Sequence, residues 1–212
     1  MRCHTVHSSD QKGLVLKLDY EKAFDKVDLD FLAELLQARG FGTKWISWIH
    51  SITHGGSVGV KLNNTESSYF TTDKGLRQGD PLSPLLFNLV VDALTRMLAK
   101  VANQQLISGL YPDICPGGVI CLQYADDTIL FLDNNLEHAR NLKTVLSWFE
   151  QVSGMRINYE KSELIPINLD EDELHPFFDC LGCSQGKFPI KYLGIPLHYE
   201  KLSKRGHPTS HR

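Results

Sequence analysis

Two adjacent acids set between apolar, strand-forming runs constrain this chain more than any other feature. They lie in Val119-Ile120-Cys121-Leu122-Gln123-Tyr124-Ala125-Asp126-Asp127-Thr128-Ile129-Leu130-Phe131-Leu132. Each run has strand length, so the stretch predicts a tight β-hairpin with Asp126 and Asp127 at its turn. Consecutive residues of a regular strand point to opposite faces, and two neighbouring carboxylates approach one site only where the chain turns. Charge held between strands this apolar needs a partner. A divalent cation is one such partner, and an oxygen-only ligand set suits Mg²⁺. A solvated hairpin tip is the other reading these residues allow on their own.

The rest of the chain alternates helical and strand-like stretches without a regular βαβ order. Gly13–Asp19 reads as a strand ending in an acid. Asp28 caps a helix whose apolar face is Phe31, Leu32, Leu35 and Leu36, stopped by Gly40. A second helix follows Thr43, with Trp45, Ile46, Trp48, Ile49 and Ile52 as its stripe. Residues 58–62 and 69–72 form a hairpin around Asn63-Asn64. A helix then starts at Ser83 as cap with Pro84 in its first turn, and residues 103–118 connect it to the Asp-Asp hairpin. Asn135 opens another helix, closed by Gly154. A strand is expected at residues 164–167 and a helix over 170–181, which Pro176 should kink or restart. Short strands are expected at 188–197. The fold class is therefore α+β: an antiparallel sheet backed by helices, with a short β-rich C-terminal extension.

Composition bounds the function. A chain of 212 residues with a net charge of −3 lacks the basic balance of a general nucleic-acid binder. The charge is uneven, however: Lys187 to Arg212 holds six Lys and Arg against one acid. A basic tail beside an acidic body can follow a phosphate backbone while the acids hold metal. No apolar run reaches the ~18 residues of a membrane span, and no membrane association is expected. Five cysteines, an odd number, and no export signal point to reduced thiols inside a cell.

Asp19 ends one apolar strand, and Asp126-Asp127 sits at the tip of a hairpin. If these strands are neighbours, three carboxylates converge on one edge, an arrangement that can clamp two metal ions about 3.5–4 Å apart for phosphoryl transfer.

Five motifs, in order, carry a family resemblance. Residues Leu16-Lys17-Leu18-Asp19-Tyr20-Glu21-Lys22-Ala23-Phe24-Asp25 resemble the first palm motif of reverse transcriptases of non-LTR (LINE-type) retrotransposons, those of plants particularly. Gly75-Leu76-Arg77-Gln78-Gly79-Asp80-Pro81-Leu82-Ser83-Pro84 is similar to the second, and Tyr124-Ala125-Asp126-Asp127 to the third. Gly154-Met155-Arg156-Ile157-Asn158 with Lys161-Ser162 resembles the fourth, and Tyr192-Leu193-Gly194 the fifth.

The resemblance implies an RNA-directed DNA polymerase palm with a ferredoxin- or RRM-like sheet. Its partners would be an RNA template, a DNA primer and deoxynucleoside triphosphates. It implies Asp19 and Asp126 as metal ligands supported by Asp127, with two Mg²⁺ ions and Mn²⁺ as a substitute. Lys161 matches a proton donor to pyrophosphate. Phe24 matches the gate against a ribose 2′-hydroxyl, although without the motif it reads as core packing. Arg77, Gln78 and Gly79 match the loop lining nucleotide and template, where Gly79 permits close backbone approach. Tyr192, Leu193 and Gly194 match the hairpin that holds the primer end.

On this reading residues 1–12 are an irregular edge and 13–168 the palm. Residues 169–200 are the palm–thumb junction, and 201–212 a basic tail. The family's fingers motifs, most of its thumb and its endonuclease are expected outside this stretch. An inactive retrotransposon remnant that binds metal or nucleic acid without turnover is the alternative. A nuclear location is expected from the family's role, and no protein partner is implied. Other residues point to structure. Trp45, Trp48 and Trp148 read as core, and His50 and His54 as surface. Cys180 and Cys183 have metal-pair spacing, with Cys115 and Cys121 poorly placed to complete a zinc site.

Overall fold

The computed structural model describes residues 11–197 except 55–56, 60, 64, 67, 72–73 and 113–116. In chain order the elements are β1 (Gly13–Leu18), α1 (Ala23–Lys26), α2 (Leu29–Ala38), α3 (Thr43–Thr53), β2 (Ser57–Val58) and β3 (Lys61–Leu62). They continue with β4 (Thr65–Glu66), β5 (Phe70–Thr71), α4 (Ser83–Asn103), β6 (Cys121–Tyr124), β7 (Asp127–Asp133) and α5 (Leu136–Ser153). The last are β8 (Glu163–Ile167), α6 (Glu171–Leu181), β9 (Ser184–Gln185), β10 (Ile190–Tyr192) and β11 (Ile195–Leu197).

The central sheet has the order β6-β7-β1-β8-β9. β1 lies in the middle because Leu-Val-Leu is buried on both faces and needs cover from both. It pairs antiparallel with β7, Leu18 opposite Thr128, and antiparallel with β8, Lys17 opposite Glu163. Strand alternation then sorts the side chains. Leu14, Leu16, Leu18, Leu130, Leu132 and Leu164 face the helices and join Leu86, Phe87, Val90, Val91, Leu94 and Phe149 in the main core. Val15, Ile129, Ile165 and Ile167 face the other way, into a smaller core with Leu110 and Ile190.

Local signals account for the helix boundaries. The Asp28 carboxylate accepts the backbone N–H groups of Asp30 and Phe31 at 3.0 and 2.9 Å, starting α2. Asn135 does the same for α5, and Gly154 ends it in the left-handed conformation at φ 72°. A side chain there would also meet the Lys26 carbonyl oxygen at 2.7 Å. The hairpin around residues 63–64 exists as two short ladders, β2 with β5 and β3 with β4.

Three expectations need correction. Ser83 is the first residue of α4 and does not cap it; Leu82 precedes it without a side-chain cap, and Asp80 Oδ1 accepts the Leu82 N–H at 2.8 Å in the turn leading in. α6 runs through Pro176 as one helix. Asp172, whose carbonyl loses its partner there, is exposed and open to water. Trp48 and Trp148 are not core, since each is 55% exposed. Trp45 is half-buried and stacks on Phe41. Cys115 lies outside the described residues, as does the tail beyond residue 197.

Candidate active site

The hairpin that joins β6 to β7 turns on Ala125 and Asp126, with Tyr124 paired to Asp127. Ala125 takes φ 51°, as two-residue hairpin turns require of a central residue. One step beyond the Leu18–Thr128 rung, the register of β1 with β7 brings Asp19 opposite Asp127. Asp19, Asp126 and Asp127 line one cleft of about 190 Å³ with Lys17, Tyr20, Lys161 and Glu163. Asp19 and Asp127 share the face of Val15 and Ile129, away from the helices. α4 packs behind that sheet on the opposite side.

The backbone of Asp19 is clamped by the turn before β8. Its N–H donates to Ser162 Oγ at 3.0 Å, and its carbonyl accepts the Asn158 N–H at 2.8 Å. Ser162 is fully buried and donates in turn to the Asn158 carbonyl. Asn158 Oδ1 also accepts the Lys161 N–H, which fixes the turn that presents Lys161 to the cleft. Asn158 and Ser162 thus act through Asp19 and do not line the cleft themselves.

The donor set fits a hard divalent cation. Among the described residues no ion pair engages Asp19, Asp126 or Asp127. No three Asp, Glu, His or Cys side chains among them are gathered tightly enough to cage an ion by themselves. Mg²⁺ seldom uses such a cage: it keeps waters and is held by one or two carboxylates together with substrate phosphates.

The other sequence-derived positions divide. Phe24 is half-buried, stacks on Phe87 at 4.3 Å, and walls a cavity of about 530 Å³ shared with Gln123, Tyr124 and Ala125. That cavity is separate from the cleft of the acids, which Phe24 does not line. Arg77 lines a separate hollow with Ile52, Thr53 and Asp80, and so does not enter the cleft of the acids. Gln78 and Gly79 are exposed. Gly79 needs its φ of +89°, but nothing among the described residues stands within 4 Å of where a Cβ would be. The close approach belongs to Gly75, whose Cβ would meet the Asp25 carbonyl oxygen at 2.7 Å. There the loop is tied to the Phe24 turn by Gly75 N–H to Val27 and Leu76 N–H to Phe24.

Tyr192, Leu193 and Gly194 form the β10–β11 hairpin, with Leu193 and Gly194 at its turn. Ile190 and Tyr192 seat it on the smaller core. Burial first, and then the charge of Asp127, raise the Tyr192 pKa. Sequence reasoning missed Lys17 and Glu163 as cleft residues. The signal was present, since Lys17 lies two residues before Asp19 in β1 and therefore on the same face.

Comparison with known proteins identifies the chain's relatives. The family described as reverse transcriptase (RNA-dependent DNA polymerase) matches residues 2–197. A transposon TX1 149 kDa protein of Xenopus laevis is 33% identical over 202 residues, covering 92% of this chain and 15% of the relative. The Pol polyprotein of the R2DM retrotransposable element of Drosophila melanogaster is 27% identical over 155 residues, 73% of this chain and 14% of that protein. The chain thus spans about a seventh of the length of these relatives. Telomerase from Candida tropicalis, solved with a fragment of telomeric RNA, superposes with a TM-score of 0.65 at 14% identity, covering 98% of this chain and 32% of that one. That likeness concerns the fold: a mixed sheet backed by helices. The chain belongs to the reverse transcriptase (RNA-dependent DNA polymerase) family, among those of non-LTR retrotransposons.

Proposed function

We propose that residues 13–168 are the palm of an RNA-directed DNA polymerase, which adds deoxynucleotides to a DNA primer on an RNA template. The observation that carries this reading is the meeting of Asp19, Asp126, Asp127 and Lys161 in one cleft from three separate chain segments. Asp19 and Asp126 would hold two Mg²⁺ ions, with Asp127 in support. The ions, when bound, lower the cost of ionising the primer 3′-hydroxyl and neutralise charge on the triphosphate.

The chain's own residues do the rest. Ser162 and Asn158 fix Asp19 by its backbone, and the β6–β7 turn fixes Asp126, so the ligands are held before substrate arrives. Lys161 presents an ammonium at the cleft, placed to give a proton to departing pyrophosphate. Phe24, rigid against Phe87, offers its open side to the sugar and would clash with a 2′-hydroxyl. Arg77 and Gln78 supply donors beside nucleotide and template, with Gly79 completing the loop. Tyr192, Leu193 and Gly194 would bear on the primer end from the sheet's open side.

Positioning dominates phosphoryl transfer, and a displacement of about 1 Å can cost on the order of 100-fold. Residues 13–197 alone are therefore expected to be inert, and activity belongs to a longer protein. The test is primer extension on an RNA template by a chimera in which residues 13–197 replace the matching segment of the Xenopus laevis relative. Extension that Asp126→Asn abolishes is the expected result. A folded chimera that binds primer–template and Mg²⁺ yet never extends would overturn the reading in favour of an inactive remnant.

A further inference from the structure

A polar layer lies directly beneath the acids, on the helix side of the sheet. Thr95 of α4 donates through Oγ1 to Gln123 Oε1 at 2.8 Å. Gln123 Nε2 donates to Thr128 Oγ1 at 3.2 Å. Gln123 and Thr128 form the cross-strand rung next to the Tyr124–Asp127 rung that closes the hairpin. Thr128 is fully buried. The Tyr20 hydroxyl is buried too, and it makes no well-aligned hydrogen bond among the described residues. Tyr20 lies two residues beyond Leu18, the partner of Thr128 across the sheet, and both side chains are buried.

Two of these residues adjoin the ligands: Tyr20 follows Asp19, and Thr128 follows Asp127. Their side chains point to the face opposite the acids, so one peptide unit carries any shift across the sheet. A buried hydroxyl left without a partner is costly. A threonine oxygen has two lone pairs, and Gln123 uses one of them.

We propose that Tyr20, Thr128, Gln123 and Thr95 form a positioning layer that sets the spacing between the two halves of the metal site. Thr128 is its hub, accepting from Gln123 and open to the Tyr20 hydroxyl, and Thr95 ties the edge strand β6 to α4. The edge strand needs that tie, because it has a ladder partner on one side only. None of the four is a cation ligand, although Tyr20 borders the cleft that the ligands line. The inference rests on Asp19, Asp126 and Asp127 being the cation ligands.

The test uses the 212-residue chain and two readouts. Amide hydrogen exchange of Ala125, Asp126 and Asp127 is followed without metal, and Mn²⁺ binding is followed by titration. Thr128→Val keeps the shape and removes the acceptor; Thr128→Ser restores it. Tyr20→Phe removes only a hydroxyl and asks the same question if the valine variant fails to fold. The expected result is faster exchange at the hairpin with α5 unchanged, Mn²⁺ binding weaker by about tenfold, and recovery of both by serine. Exchange raised equally in α5, or hairpin exchange and Mn²⁺ affinity equal to the wild type, would overturn the layer. An Asp126→Asn control separates the two ideas. If it binds Mn²⁺ as the wild type does, the ligand assignment fails, and hairpin exchange alone decides whether the layer holds the turn.

Discussion

The two faces of the central sheet are built from the same strands to opposite ends. Toward the helices, Leu14, Leu16, Leu18, Leu130 and Leu132 are buried to 3% exposure or less. Toward the other side, the same strands begin apolar with Val15 and Ile129 and finish charged with Lys17, Asp19 and Asp127. The first face holds the fold together. The second collects carboxylates at one end, where a hairpin covers the apolar part and, among the described residues, no ion pair engages the acids. Alternation by two lets one six-residue strand serve both purposes, and a slip of one residue in register would exchange them.

That contrast can be broken by substitution, and the largest effect should come from the helix-facing side. Leu16→Ala should cost about 3 kcal/mol, the transfer of a leucine side chain plus the cavity left behind, measured by urea denaturation. A loss under about 1 kcal/mol would mean that this face is loosely packed. Ser162→Ala is the intermediate case. It leaves the part-buried Asp19 N–H without its acceptor, and a loss of about 1–2 kcal/mol is expected. If the variant keeps wild-type stability, the turn before β8 does not clamp Asp19.

Removing an acid should show the opposite behaviour. Asp126→Asn is expected to leave stability without metal within about 0.5 kcal/mol, because no partner is lost and a repulsion is relieved. It should abolish the rise in melting temperature that Mg²⁺ is expected to give the wild type by binding to the native state. A large loss of metal-free stability would mean that Asp126 is a structural residue. The smallest effect is expected far from both faces: Trp48→Ala, at an exposed site on α3, should change stability by no more than about 0.5 kcal/mol.

The sequence made some of this legible and hid the rest for identifiable reasons. Asn135, Asp28 and Gly154 could be read because caps and left-handed stops are local, and the structure has each in place. The Asp126-Asp127 hairpin could be read because its two runs differ so sharply from the acids between them. Trp48 and Trp148 could not, since helical spacing reports which residues share a face and says nothing of what covers it. The turn contact of Asp80 that leads into α4 was hidden by Ser83-Pro84, a stronger start signal three residues on. The meeting of Asp19 with Asp127 depends on a pairing between strands more than 100 residues apart, and only the family motifs hinted at it. The layer of Tyr20, Thr128 and Gln123 left no motif at all; it exists only once β6 and β7 are paired and laid on α4.

A divalent cation is expected to bind where Asp19 and the Asp126–Asp127 hairpin meet, and affinity cleavage reads its position from the backbone itself. Fe²⁺ bound in place of Mg²⁺, with ascorbate and peroxide, cuts the backbone beside its site, and the fragments are sized by mass spectrometry. Cuts near residue 19 and near residues 126–127 are predicted together, suppressed by excess Mg²⁺ and absent in Asp126→Asn. Cleavage at only one of the two segments, at unrelated positions, or unchanged in the variant would contradict the account.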